Sequence, residues 1–209
     1  MIRILITGFG RFPGAPFNPT EKLALRLAAK RRPALADTSR TMHVFRTSYA
    51  AVEAELPTLI VRDKPDAILL LGLAGRTSFV RVETRAQNRL SLIFPDVDGH
   101  VPARAAIRPG EHALAGRASF RRLLAAAKAT HVPSRLSRDA GGYLCNFVYW
   151  RAIEQTARQK RSPLVVFVHV PLVRCGTRRR TKRGLSATDV ARAGEAILVA
   201  LASAARALH

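Results

Sequence analysis

Cysteine is nearly absent from this 209-residue chain: there are two, Cys145 and Cys175. Two cysteines do not build a disulfide framework, so a reducing, cytoplasmic setting is the default expectation. With no C-x-x-C and no H-E-x-x-H they also fall short of a zinc ligand set. No apolar stretch approaches the ~20 residues of a membrane span. The first residues, MIRILITGFG, carry one basic residue and a short apolar run that ends in Gly-Phe-Gly without a small-residue cleavage site. They read as a strand and not as a signal peptide. Repeats and low-complexity linkers are missing, and residues 1–209 are expected to form one domain. Acidic residues are scarce, 14 against 35 lysines and arginines, for a net charge of +21. Such a charge hints at an anionic partner. Yet the arginines are scattered, Arg178–Arg183 is the one dense cluster, and no RNA-binding, zinc-finger or basic-zipper signature accompanies it. Specific nucleic-acid binding is therefore not expected, and the charge reads as a basic solvated surface.

What is present is a globular composition, 48% apolar, with strand and helix patterns in alternation. Residues 2–7, 41–46, 66–71, 78–84, 133–137 and 163–168 read as strands. Helices are expected over 18–30, 48–63, 116–130, 144–160 and 186–208. Asn18-Pro19 and the pair Ser186/Asp189 give helix-start signals, and Pro57 is expected to kink or break the second helix. The Pro-, Gly- and His-rich stretch 94–116 reads as an irregular loop. This alternation predicts a three-layer α/β/α sandwich with a mostly parallel central sheet, of phosphorylase/hydrolase-like type.

In such sheets, functional groups gather at the carboxyl ends of strands. His169 directly follows the strand PLVVFV. In GGYLCNFVYW, residues 141–150, Cys145 opens a helix just after a glycine pair, where the positive helix end is expected to lower the thiol pKa. A histidine base, a cysteine nucleophile and an orienting carboxylate would together make an acyl-transfer site. The residues alone also allow the plain alternatives: a core cysteine, a histidine satisfied by backbone, and Glu83 as an ordinary strand residue paired with an arginine.

Five segments in order resemble pyroglutamyl peptidase I, a family of cysteine exopeptidases: ITGFGRFPGAPFNPTEKLA, LLLGLAGRTSFVRVETRAQN with its E-x-x-A-x-N spacing, FPDVDG, DAGGYLCNFVYW and FVHVP. The resemblance implies Cys145 as nucleophile, His169 as general base and acid, and Glu83 as the residue that orients the imidazole. It implies hydrolysis of the amide after an N-terminal pyroglutamyl residue, with no metal or cofactor, and assembly as a dimer or tetramer. Pyroglutamate is a neutral lactam, which suits aromatic walls and backbone partners. The resemblance places Phe9 and Phe12 at such walls, and the backbone at Tyr143 and Leu144 is a candidate source of hydrogen bonds to the lactam. The pattern departs from the family in three places. Gly10 stands where an acidic residue is usual, Ser91 and Ile93 replace an aspartate and an active-site arginine, and the loop after Pro171 is strongly basic. A lost preorganised donor costs on the order of 10²–10³ in rate, and Arg81, Arg85 and Arg89 are candidate substitutes. The alternatives to an active peptidase are a weakly active or altered-specificity relative, and a polyanion-binding protein on the same scaffold.

Overall fold

Eight short apolar or alternating runs pair into strands in the computed structural model, which describes residues 1–12, 16–157, 159, 162–173 and 184–208. The strands are β1 (Ile2–Phe9), β2 (Thr38–Phe45), β3 (Ala67–Leu73), β4 (Val80–Glu83), β5 (Arg85–Gln87), β6 (Ala113–Ala115), β7 (Ser134–Ser137) and β8 (Leu164–Val170). The helices are α1 (Pro19–Ala28), α2 (Tyr49–Asp63), α3 (Phe120–Lys128), α4 (Leu144–Ala157) and α5 (Ala187–Arg206). Six strands form one sheet in the order β2-β1-β3-β8-β4-β7. Neighbours run parallel except β4 and β8, which are antiparallel. Both faces of the inner strands are buried, which is why AILLLGL and LVVFVHV are almost wholly apolar.

The strand period of two divides the core. Ile4, Ile6, Leu69, Leu71, Val80, Val82, Val166 and Val168 face one side, where α1, α3 and α5 cover them. Leu5, Ile68, Leu70, Val165 and Phe167 face the other side, beneath α2 and α4. The three-layer expectation therefore holds, with a mixed, mostly parallel sheet.

Several local expectations are corrected. Pro57 lies inside an unbroken α2. Its missing N–H costs about 3 kcal/mol, but Val52, Leu56, Leu59 and Ile60 bury the same helix on the sheet. The stretch expected as one strand over 78–84 is followed at once by β5, which pairs with β6 from within the supposed loop 94–116. This excursion acquires a strand only because a distant partner exists. The helix expected over 116–130 begins at Phe120. Cys175 and the Arg178–Arg183 cluster lie outside the described residues. Among the described residues, no helix is long and apolar enough to cross a membrane.

The entry to α1 ties the first strand to its helix. Asn18 Oδ1 accepts the Thr20 N–H at 3.1 Å and the Thr20 hydroxyl at 2.8 Å, while Nδ2 donates to the Gly10 carbonyl at 3.0 Å. Asn18→Ala removes the cap and should cost about 1–2 kcal/mol. For a chain of this size that is a fall in Tm of roughly 2–8 °C, measured by thermal unfolding; an unchanged Tm would show that the cap contributes nothing.

Candidate active site

The site is built on one sheet face by register. In the alternating run Val80-Arg81-Val82-Glu83, the two valines enter the core beneath α1, α3 and α5. Arg81 and Glu83 must then point to the opposite face. Antiparallel pairing sets Arg81 opposite His169 and Glu83 opposite Phe167. Parallel pairing of β3 with β8 sets Gly72 beside His169. Five positions from three strands thus meet under the start of α4.

Glu83 is fully buried and His169 is 3% exposed. Glu83 Oε1 lies 2.7 Å from His169 Nδ1. The same oxygen accepts from Arg81 Nε at 2.9 Å, with Arg81 Nη2 at 2.8 Å. Arg81 Nη2 also donates to the Asp139 carbonyl at 3.0 Å and lies 3.2 Å from His169 Nδ1. Among the described residues, Glu83 Oε2 is buried without a hydrogen-bond partner. The Glu83 backbone carbonyl accepts the Tyr149 hydroxyl of α4 at 3.1 Å. Burial pushes the His169 imidazole below its ordinary pKa; Glu83 works against this and Arg81 reinforces it.

The turn into α4 brings the cysteine onto this face. Gly141 sits at φ +89°, a conformation that favours glycine, and donates its N–H to Asp139 Oδ1 at 2.9 Å. Cys145 is the second residue of α4 and half-buried. Its sulfur lies directly over Gly72: a Cβ there would come within 2.7 Å of Sγ and 2.5 Å of the Phe167 ring. The missing side chain at 72 is what makes room for the thiol. Asn146, fully buried, locks the helix to β5 and its exit. Its Oδ1 accepts the Gln87 N–H at 2.8 Å, and Nδ2 donates to the Gln87 and Arg89 carbonyls at 2.7 and 2.9 Å.

The expected lowering of the thiol pKa is overturned. Burial pushes Cys145 up to about 12, and the Glu83 charge adds to it. The backbone N–H groups of Leu73 and Cys145 and the Arg81 charge act in the other direction and are outweighed. A helix N-terminus offers only partial charge, whereas desolvation penalises the whole thiolate.

Other residues named from sequence divide into two groups. Phe12 and Tyr143 are half-buried, with ring centroids 6.5 Å apart, and the Tyr143 hydroxyl donates to the Pro95 carbonyl at 2.8 Å. Phe9 packs against Phe45 in the core and is 3% exposed, and the Leu144 side chain is 1% exposed. Ile93 is 78% exposed. The Ser91 N–H donates to the Gly142 carbonyl at 2.5 Å, bringing that segment to the turn before α4. Arg89 pairs with Asp139 Oδ1 at 2.7 Å beside Gly142, while Arg85 turns to the Arg138 carbonyl. Sequence reasoning missed Gly72, whose role is visible only through pairing with β8. Among the described residues, no group of three or more His, Cys, Asp and Glu side chains converges as a metal-ligand set.

A cysteine at a helix start, on the same sheet face as a buried carboxylate–imidazole pair at strand ends of an α/β sheet, has the residue types of a cysteine hydrolase. The comparisons narrow this class. The pyroglutamyl peptidase family model matches residues 2–207, and the chain belongs to that family. It is 31% identical to the pyrrolidone-carboxylate peptidase of Gloeobacter violaceus over 81% of this chain and 82% of that protein. It is 27% identical to that of Thermococcus onnurineus, over 94% and 97% of the two chains. The crystal structure of pyroglutamyl peptidase I from Bacillus amyloliquefaciens superposes with a TM-score of 0.85 at 26% identity, covering 97% of this chain and 96% of that one.

The FPDVDG turn docks beside the site through Asp96, 4% exposed. Its carboxylate accepts the backbone N–H groups of Tyr49, Asp98 and His100 at 3.0, 2.9 and 2.9 Å. Burial would raise its pKa, but these three donors outweigh burial and lower it below the usual 3.8. A lowered folded-state pKa stabilises the protein above the unfolded value and is lost as pH falls through the folded value. Tm should therefore drop as pH is taken from about 5 toward 3, and Asp96→Asn should flatten that part of the curve. Equal acid slopes in the two proteins would count against this role.

Proposed function

We propose that this chain hydrolyses the amide bond after an N-terminal pyroglutamyl residue and releases pyroglutamate through a Cys145–His169–Glu83 triad and an acyl-enzyme. The observation that carries the reading is the buried 2.7 Å contact between Glu83 Oε1 and His169 Nδ1, next to the Gly72 gap that receives the Cys145 sulfur. Family membership supports the substrate class.

The carboxylate accepts the Nδ1–H, so Nε2 keeps its lone pair for a substrate-side proton. At rest the couple is neutral: burial holds the thiol up and the imidazole down. The Sγ–H proton passes to Nε2 as the sulfur attacks the pyroglutamyl carbonyl carbon. The imidazolium then protonates the departing amine, the C–N bond breaks, and a thioester remains. Water attacks the thioester carbonyl while Nε2 takes its proton, and collapse releases pyroglutamate and returns the proton to sulfur. Glu83 keeps one tautomer throughout and offsets the charge of the transient imidazolium. The half-buried Phe12 and Tyr143 rings suit the apolar lactam, and backbone at Tyr143 and Leu144 suits its polar edge.

Turnover of a fluorogenic pyroglutamyl amide under reducing conditions tests the reading. Activity should vanish in Cys145→Ala; activity equal in both proteins, or absent from both, would remove the proposal. Gly72→Ala should lower kcat/KM by about 10²-fold, because a displacement of the nucleophile near 1 Å has that effect. Unchanged kcat/KM would mean that the sulfur attacks from elsewhere.

A further inference from the structure

Glu83 is an unusual buried carboxylate in that every hydrogen bond it receives falls on one oxygen. Oε1 takes the imidazole and the Arg81 guanidinium, and Oε2 takes nothing among the described residues. Arg81 is itself mostly covered, its side chain 22% exposed, and it is fixed from both ends of its fork: on the Glu83 carboxylate and on the Asp139 carbonyl at the nucleophile turn. We propose that Arg81 is a positioning residue that holds the Glu83–His169 couple in its proton-accepting state and binds it to the turn that presents Cys145. The inference rests on the hydrolytic reading of the triad.

Charge in a closed space decides which state the couple adopts. The charged groups acting on His169 are Arg81 and Glu83 from β4 and Asp139 from the loop before α4, with Arg89 on the far side of Asp139. From α4, Tyr149 donates to the Glu83 backbone carbonyl, and the Cys145 sulfur lies at Gly72, the β3 neighbour of His169. With Arg81 present, carboxylate and guanidinium cancel, and a neutral imidazole completes an uncharged set. Removal of the guanidinium leaves a single buried negative charge whose remaining side-chain partner is the imidazole. A proton taken from solvent then restores neutrality, and His169 stands beside the carboxylate to receive it. A protonated His169 cannot accept the thiol proton. The guanidinium nitrogen 3.2 Å from Nδ1 opposes that protonation directly, and the same positive charge favours the Cys145 thiolate. Loss of Arg81 should therefore displace both ionisations of the couple in the same direction, to higher pH. A residue that merely braced the loop would change rate or stability and leave both midpoints in place.

The test compares unmutated protein with Arg81→Met, Arg81→Gln and Arg81→Lys. Three readouts follow pH: NMR of isotope-labelled His169, iodoacetamide alkylation of Cys145 mapped by mass spectrometry apart from Cys175, and kcat/KM on a pyroglutamyl amide. Both neutral variants should raise the imidazole midpoint by about one pH unit. They should also shift the acid limb of kcat/KM and the alkylation midpoint upward, while Arg81→Lys returns most of the shift. If Arg81→Met does not fold, Arg81→Gln carries the comparison. Unmoved midpoints in the folded neutral variants, with only a lower plateau or lower Tm, overturn the inference. Absence of turnover in the unmutated protein would instead sink the hydrolytic reading, and the NMR and alkylation midpoints still decide whether Arg81 governs the couple.

Discussion

The antiparallel register between β4 and β8 is the constraint on which the rest of the site depends. It sets Arg81 against His169 and Glu83 against Phe167, so that carboxylate, guanidinium and imidazole converge on one oxygen. A slip of one residue would turn both charged side chains into the apolar core beneath α1, α3 and α5 and bring Val80 and Val82 to the site. The cost of burying Arg81 or Glu83 without the other is several kcal/mol. The chemistry and the fold therefore select the same pairing.

Around that pairing the protein arranges groups that exclude water without crowding the sulfur. Gly72 leaves a gap on β3, the Phe167 and Tyr149 rings pack at a tilt with centroids 5.6 Å apart, and Asn146 fastens α4 to β5. The same enclosure sets the resting charge state. Burial holds the Cys145 thiol up and the His169 imidazole down, so both stay neutral at rest. The dry setting favours a transferred proton over a standing ion pair.

Legibility varied with the range of the interactions involved. Strand and helix positions followed from short-range patterning, and the Asn18 and Ser186 caps were readable because a cap is a local hydrogen bond. Local reasoning failed where distant partners decide. Pro57 stays helical because the sheet holds α2, β6 is a strand because β5 lies beside it, and β2 starts at Thr38 because eight residues of β1 pair with it. Among the candidate site residues, Cys145, His169 and Glu83 were nameable from motif order. Gly72 was not, since a glycine at a strand end looks the same whether or not a sulfur lies above it. Arg81 was one of three equivalent arginines in sequence. Only the structure separates it from Arg85, which turns to the Arg138 carbonyl, and Arg89, which pairs at the surface with Asp139.

By itself the sequence determined the three-layer class, the capped helix starts at Asn18 and Ser186, the family and the residue types available for chemistry, because these depend on periodicity, backbone propensity and motif order. Tertiary structure alone decided which groups share one oxygen, which way the cysteine ionises and which arginine faces the base. Those properties depend on register and on desolvation. Neither exists until strands some ninety residues apart lie side by side, as β4 and β8 do where Arg81 meets His169.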